Sequence, residues 1–336
     1  MIPGAAAVLL ATALGAALLT RAWIVFARRR RIEDQPGQRR LHAEPTPRGG
    51  GLAIALVLLT SMAWLGADGS ASFPWLELAA GVALFAALGL VDDLLPLPGG
   101  GKLLLQLGAA SLLMAALLPG WHYGWLAAGC LVLACVYLVN IWNFMDGSNG
   151  LITVQALLIA LALAAWPGQP PELRLAAIAL AGACAGFLPF NVPVARVFLG
   201  DVGSHTLGAS VFVLLTLSWL AGSLSLPQAL LFCSALLLDS GYTLLRRSLA
   251  GRRIWRAHRE HLYQYAVRKG HSHVAVCLCY GAWTALAIAL AAWAGQFRSS
   301  FVIWLVFILL WLLGTAVHFG LRRRWLGSRT HRGDEA

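Results

Sequence analysis

Apolar runs recur along the whole chain, and short polar islands separate them. The runs cover residues 3–26, 49–66, 75–91, 103–119, 124–142, 151–166, 173–190, 203–220, 227–245, 274–294 and 301–321. Each is near the length of about 20 residues that one helix needs to cross a bilayer. The shorter ones require tilt or local thinning of the bilayer. The pattern predicts an all-α integral membrane protein of about eleven transmembrane helices. The polar islands are Arg39–Gly51, Asp92–Lys102, Asn140–Gly150, Phe198–Ser204 and His258–Gln264. Ionisable groups at the edge of a hydrocarbon layer are costly, so such islands read as a functional site.

Composition supports the class. Hydrophobic residues make up 59% of the 336, charged residues only 12%, and the mean hydropathy is +0.74. The first run lacks a basic leader and is followed by Arg28–Arg31, which marks a retained span rather than a signal peptide. Residues 1–321 read as a single polytopic domain and 322–336 as a basic cytoplasmic tail. If the segment after the first span is cytoplasmic, alternation places 22 of the 25 Lys and Arg residues inside. The N-terminus is then periplasmic, the C-terminus cytoplasmic, and all five islands share the cytoplasmic face. The net charge of +11 is this topology signal, reinforced by attraction to anionic membrane lipids. No soluble basic module suggests nucleic-acid binding. The six cysteines all sit in apolar runs and form no ligand-spaced cluster.

Each island admits a functional and a purely structural reading. Asp92 and Asp93 are adjacent carboxylates, which suit a divalent metal such as Mg²⁺ or a base beside one. They equally suit a solvated helix end. The glycines at 99–101 permit a turn that returns Lys102 to the acids. Asn143 and Asp146 are one helical turn apart and share a face, and Gly147 lets backbone approach a ligand. The same residues make an ordinary polar turn. Asp201 opens a run, either as a helix cap or as a metal ligand beside backbone N–H groups that receive phosphate. His258, Arg259 and His261 suit phosphate binding in a strongly cationic loop, or a metal. Arg48 leads through Gly49–Gly51 into the second run, as the wall of a site or as a topology anchor. Asp239, inside the ninth run, bonds across helices or lines the site.

In order, the motifs D-D…K, N-x-x-N-F-M-D-G-x-x-G-L, F-L-G-D-x-G-S and H-R-x-H-L-Y-Q are specific. From about Arg39 to Gln264 the chain closely resembles the polyprenyl-phosphate N-acetylhexosamine-1-phosphate transferase superfamily, the MraY/WecA group of glycosyltransferase family 4. The His-Arg-Glu-His form is most similar to the WbpL-type branch, which initiates O-antigen and related envelope glycans. The peptidoglycan enzymes carry three consecutive histidines there, so the resemblance argues against a peptidoglycan precursor as substrate. Asn149 departs from the family, many members having an acid at that position.

The resemblance implies a bacterial inner-membrane enzyme that moves a sugar phosphate from a UDP-N-acetylhexosamine to undecaprenyl phosphate. It implies Mg²⁺, with Mn²⁺ as a substitute, held mainly by Asp201 and assisted by Asp93. Asp92 is implied as the base toward the lipid phosphate, with Asp93, Asp146, His258 and His261 also catalytic. Lys102, Asn143, Arg259, Arg48 and Gly147 are implied to bind substrate. Two other classes fit the composition less well. A secondary transporter carries its polar residues at mid-membrane, often in an inverted repeat, and neither feature is seen here. A CDP-alcohol phosphotransferase needs further acids after Asp146-Gly147, and none follows.

Overall fold

A computed structural model of the protein describes residues 4–34, 45–67, 71–95, 97–118, 124–252 and 258–327. Arg39–Glu44 of the first island, Arg253 and Arg256, and residues 328–336 of the basic tail lie outside them. The chain divides into two compact units, Met1–Leu224 and Ser225–Ala336. The first holds α1 (Ala5–Arg30), α2 (Leu52–Gly66), α3 (Trp75–Leu94), α4 (Gly99–Leu117), α5 (Gly124–Met145), α6 (Leu151–Ala165), α7 (Pro171–Asn191) and α8 (Gly200–Leu220). A two-residue antiparallel pairing, β1 (Glu33–Asp34) with β2 (Thr46–Pro47), precedes α2. The second unit holds α9 (Leu226–Phe232), α10 (Ser234–Leu249), α11 (Leu262–Arg268), α12 (His273–Gln296) and α13 (Ser300–Gly327).

Each of the eleven apolar runs is helical, though not all are simple spans. Among the described residues, eight helices are long and apolar enough to cross a membrane. The run at 227–245 is a broken pair, α9 and α10, bent by 81°. Cys233 leaves the helical conformation, and its carbonyl then accepts the Leu236 and Leu237 N–H groups that start α10. α2 and α6 have 15 residues each, so each rises only about 22 Å. The boundary between the two units falls after Leu224, in the turn between α8 and α9. Residues 322–327, the start of the expected basic tail, belong to α13, where Arg322 is buried and donates to the Glu260 carbonyl (3.1 Å).

In the first unit α8 is the axle. It is buried continuously from Val202 to Ser218, and α2, α3, α5, α6 and α7 pack around it. A helix that is hydrophobic on every side belongs in a core, and here glycines bring its neighbours to backbone contact. A Cβ on Gly89 of α3 would overlap the Asp201 carbonyl, and one on Gly51 would overlap Gly203. Both contacts lie at the α8 N-terminus, so close packing fixes where Asp201 sits.

Gly89→Ala is expected to destabilise the protein by about 1–3 kcal/mol through overpacking against α8. Gly108→Ala, where no atom lies within 4 Å of the added carbon, is expected to be neutral or slightly stabilising. Thermal unfolding of the two variants in detergent checks this; equal midpoints would refute the contact.

Candidate active site

The site in the first unit starts from one buried carboxylate. Asp93, in the last turn of α3, accepts the N–H groups of Asp201 (3.0 Å) and Val202 (3.0 Å). These are orphan donors of the first turn of α8, and Asp93 caps them from another helix. Gly200 makes this possible, entering α8 at φ +77 against the Asp93 carboxylate, where a side chain would not fit. Arg48 pairs with the same carboxylate, through Nη2 at 2.6 Å and Nε at 3.2 Å. The strap behind Arg48 is tied along 198–199: Phe198 donates to the Pro47 carbonyl, Gly50 to that of Phe198 and Gly51 to that of Leu199.

Asp93 is only 2% exposed at its side chain, and both its oxygens are spent on the fold. This gives Asp93 a positioning contact in addition to the metal-binding and catalytic roles expected of it. Asp93 occupies the N–H groups of Asp201 and Val202 that the sequence offered to phosphate. Arg48, expected at the substrate, pairs with Asp93 here.

Lys102 reaches the acids as expected, although the glycines before it open α4 rather than form the turn. Its Nζ lies between Asp92 (2.6 Å) and Asp201 (2.8 Å). Asp92 also accepts the Leu97 N–H at 2.7 Å, which closes the turn after α3. Asp146 follows α5, and its carboxyl is pushed well above the usual carboxylate range by burial, then by Asp201 and Asp93. Asn143, one turn earlier, donates to the Ser204 hydroxyl at 3.1 Å and so joins α5 to α8. Gly147 is exposed beside Asp146. Asn149 donates to the Pro193 carbonyl at 3.3 Å, a loop tie that needs no acid. Among the described residues, Arg48 balances Asp93 and the Lys102 ammonium is shared by Asp92 and Asp201. No group of three or more metal-ligating side chains forms among the described residues. Mg²⁺ needs only one or two carboxylates, with waters and substrate oxygens completing its shell. A deficit of positive charge at Asp201 and Asp92 fits such an ion.

The second unit repeats the capping device. Asp239, buried in α10, accepts the N–H groups of Leu262 (2.7 Å) and Tyr263 (3.2 Å) at the start of α11, and the Tyr280 hydroxyl (2.6 Å). Of its two expected roles, Asp239 takes the bond across helices. His261 is the N-cap of α11 in a capping box with Gln264. The His258 and His261 rings lie 4.9 Å apart. Glu260 gathers Arg246, Arg247 (2.5 Å) and Arg252 (3.0 Å). The Arg259 carbonyl accepts from Arg268 at 2.6 Å. Burial, then His261 and the arginines 247 and 246, drive the His258 imidazole down to about 4, so it is neutral at physiological pH. Sequence reasoning missed Glu260, although an acid between Arg259 and His261 in so basic a loop is a signal. It also gave no role to Ser204, the last residue of the Phe198–Ser204 motif, or to His205, which follows it.

A family model described as glycosyl transferase family 4 matches residues 75–219. The decaprenyl-phosphate N-acetylglucosaminephosphotransferase of Mycolicibacterium smegmatis is 31% identical over 300 residues, covering 75% of this chain and 72% of that protein. The chain belongs to glycosyl transferase family 4. A probable undecaprenyl-phosphate N-acetylglucosaminyl 1-phosphate transferase of Bacillus subtilis is 27% identical over 256 residues, 71% of each chain. A phospho-N-acetylmuramoyl-pentapeptide-transferase of a Synechococcus strain is 32% identical over 315 residues, 84% of this chain and 90% of that one. The matched family 4 region runs from the first residue of α3 almost to the end of α8. It therefore holds Asp92, Asp93, Lys102, Asn143, Asp146 and Asp201, while Arg48 and the His258–Gln264 loop lie outside it.

Two outcomes follow for this family 4 enzyme. Asp93→Asn leaves Arg48 and the α8 donors uncompensated and is expected to cost about 3–5 kcal/mol; an unchanged unfolding midpoint would show that the cap does not hold α8. Between pH 6.5 and about 4 the unfolded chain binds a proton at His258 that the folded chain refuses. Stability therefore falls as pH drops through that window. His258→Gln should flatten this part of the stability-against-pH curve, and a curve identical to wild type would rule the assignment out.

Proposed function

We propose that the enzyme transfers N-acetylhexosamine-1-phosphate from a UDP-sugar to undecaprenyl phosphate, releasing UMP and initiating O-antigen or another envelope glycan. The observation that carries this reading is Lys102 held between Asp92 and Asp201, with Asp146 beside them. An oxygen of the lipid phosphate bonds to the phosphorus that carries the sugar. The diphosphate bridge breaks, and UMP leaves with the bridging oxygen. Both reactants are anions, so the catalytic work is neutralisation and in-line positioning. Asp92 takes any proton that remains on the lipid phosphate, and Lys102 offsets charge on the diphosphate. Mg²⁺, or Mn²⁺ in its place, would be held by Asp201 with Asp93 and would supply the remaining positive charge. Asn143 and Gly147 adjoin the nucleotide. His258 and His261 act as neutral hydrogen-bond donors to sugar or phosphate, with Arg259 beside them.

The names of the relatives support a polyprenyl phosphate acceptor and an N-acetylhexosamine phosphate as the transferred group. The His-Arg-Glu-His form at 258–261 favours a simple UDP-N-acetylhexosamine over a muramoyl-peptide donor. The positive-charge asymmetry favours the bacterial inner membrane, with a periplasmic N-terminus and a cytoplasmic C-terminus.

The test is UMP release by purified protein given undecaprenyl phosphate, Mg²⁺ and a panel of UDP-sugars that includes the muramoyl-pentapeptide donor. UMP that requires both lipid and metal is expected from a UDP-N-acetylhexosamine alone. Asp201→Asn should lower kcat by at least about 100-fold, as loss of a transition-state contact does. Preference for the muramoyl-peptide donor, or wild-type turnover by Asp201→Asn at low Mg²⁺, would defeat the proposal.

A further inference from the structure

Directly beneath the charged tier lies a second polar tier that the reaction as described does not use. Gln106 is one helical turn beyond Lys102 on α4, His205 one turn beyond Asp201 on α8, and Asn140 one turn before Asn143 on α5. His205 is fully buried and Gln106 is 1% exposed. The His205 Nδ1 lies 2.7 Å from the Asp201 carbonyl oxygen, and its Nε2 lies 3.0 Å from Gln106 Nε2. Asn140 Nδ2 lies 2.7 Å from Gln106 Oε1 and 2.8 Å from the Val136 carbonyl.

Donor accounting fixes the direction of this chain. A carbonyl only accepts, so at one end His205 Nδ1 carries the hydrogen. At the other end the Asn140 amide gives one hydrogen to Val136 and the other to Gln106. Gln106 Oε1 is then an acceptor and its Nε2 a donor, so His205 Nε2 must be bare. Only the neutral Nδ1–H imidazole satisfies every contact. A second branch meets the same carbonyl, Asn143 donating to Ser204 (3.1 Å) and Ser204 to Asp201 (3.3 Å).

We propose that His205 is a positioning residue for the transferase reaction, locking Asp201 on α8 to Lys102 on α4 and Asn143 on α5 through a one-way hydrogen-bond chain with Gln106 and Asn140. The proposal rests on the reading of Asp201 and Lys102 given above. Buried polar networks are rigid when every member is satisfied. The chain sets how far α8 lies along α4 and α5, and hence where the Asp201 carboxylate meets the reacting phosphates. A misplacement of about 1 Å at such a group costs roughly 100-fold in rate.

The experiment measures kcat and KM for UMP release by the full-length protein, together with ¹⁵N NMR of its labelled histidines. His205→Leu should fold and bind the UDP-sugar with KM within about twofold of wild type, while kcat falls at least about tenfold. His205→Asn, whose amide can take the place of Nδ1–H toward Asp201, should recover kcat to within about threefold. Gln106→Leu added to His205→Leu should do little further harm, because the chain is already cut. Wild-type kcat in His205→Leu, or no rescue by Asn, would overturn the positioning role. The NMR signal lost in His205→Asn should be the Nδ1–H tautomer, perturbed by Gln106→Leu; the Nε2–H tautomer would overturn the chain itself. A wild type that releases no UMP would sink the transferase reading, and the tautomer would still decide the hydrogen-bond chain.

Discussion

The first unit depends on a carboxylate in one helix closing the start of another. The α8 N-terminus is packed against α3 and the 45–51 strap, and its first N–H groups need a partner there. Asp93 meets two of them, and Arg48 balances the charge that this buries. The arrangement works only because Gly200 and Gly89 let backbones approach and because the 45–51 strap holds Arg48 in place. Remove the carboxylate, and α8 loses its cap while Arg48 loses its partner. The second unit solves the same problem with Asp239 at α11, using Tyr280 in place of the arginine as the additional donor.

This explains which features the sequence displayed and which it concealed. Hydrophobic run length is a local property, so each of the eleven runs is helical. The polar islands were legible because acids and amides next to hydrocarbon are expensive. Lys102 does return to the acids, but the chain turns before the glycines, which form the first turn of α4. The division of labour within the Asp92-Asp93 pair did not follow, since consecutive residues on a helix point about 100° apart and only their neighbours decide the roles. Asp93 turns to the helix start and Asp92 to the ammonium. The break at Cys233 and the boundary after Leu224 were also hidden. Cys233 has no Pro or Gly beside it to mark the break, whereas Gly222, Ser225 and Pro227 do flank the Leu224 boundary but read equally as an ordinary loop between spans. His205 escaped notice for a simpler reason: in a helix buried on all sides, one imidazole looks like core.

An acidic centre that handles two anionic reactants is a physical paradox only if the acids are counted alone. Among the described residues, Asp92 and Asp201 share the Lys102 ammonium, and burial raises the Asp146 carboxyl. In the proposed reaction the carboxylates of Asp92 and Asp201 would attract a cation, which in turn would attract the phosphates. Were the acids fully neutralised by fixed lysines and arginines, as Asp93 is by Arg48, the site would have no use for a mobile cation. The contrast between the buried Asp93 pair and the more open Asp201 shows the two purposes of a carboxylate within a few ångströms.

The same contrast decides what α8 contributes. A free helix N-terminus attracts phosphate through its bare N–H groups and its dipole. Here those groups point at Asp93, so the dipole is used to hold a buried acid in place. Phosphate cannot compete for them without unseating the cap that sets the position of Asp201. In the proposed reaction, the diphosphate would meet side chains and a cation rather than these N–H groups. That division assigns rigidity to the backbone of α8 and charge to the residues displayed on it.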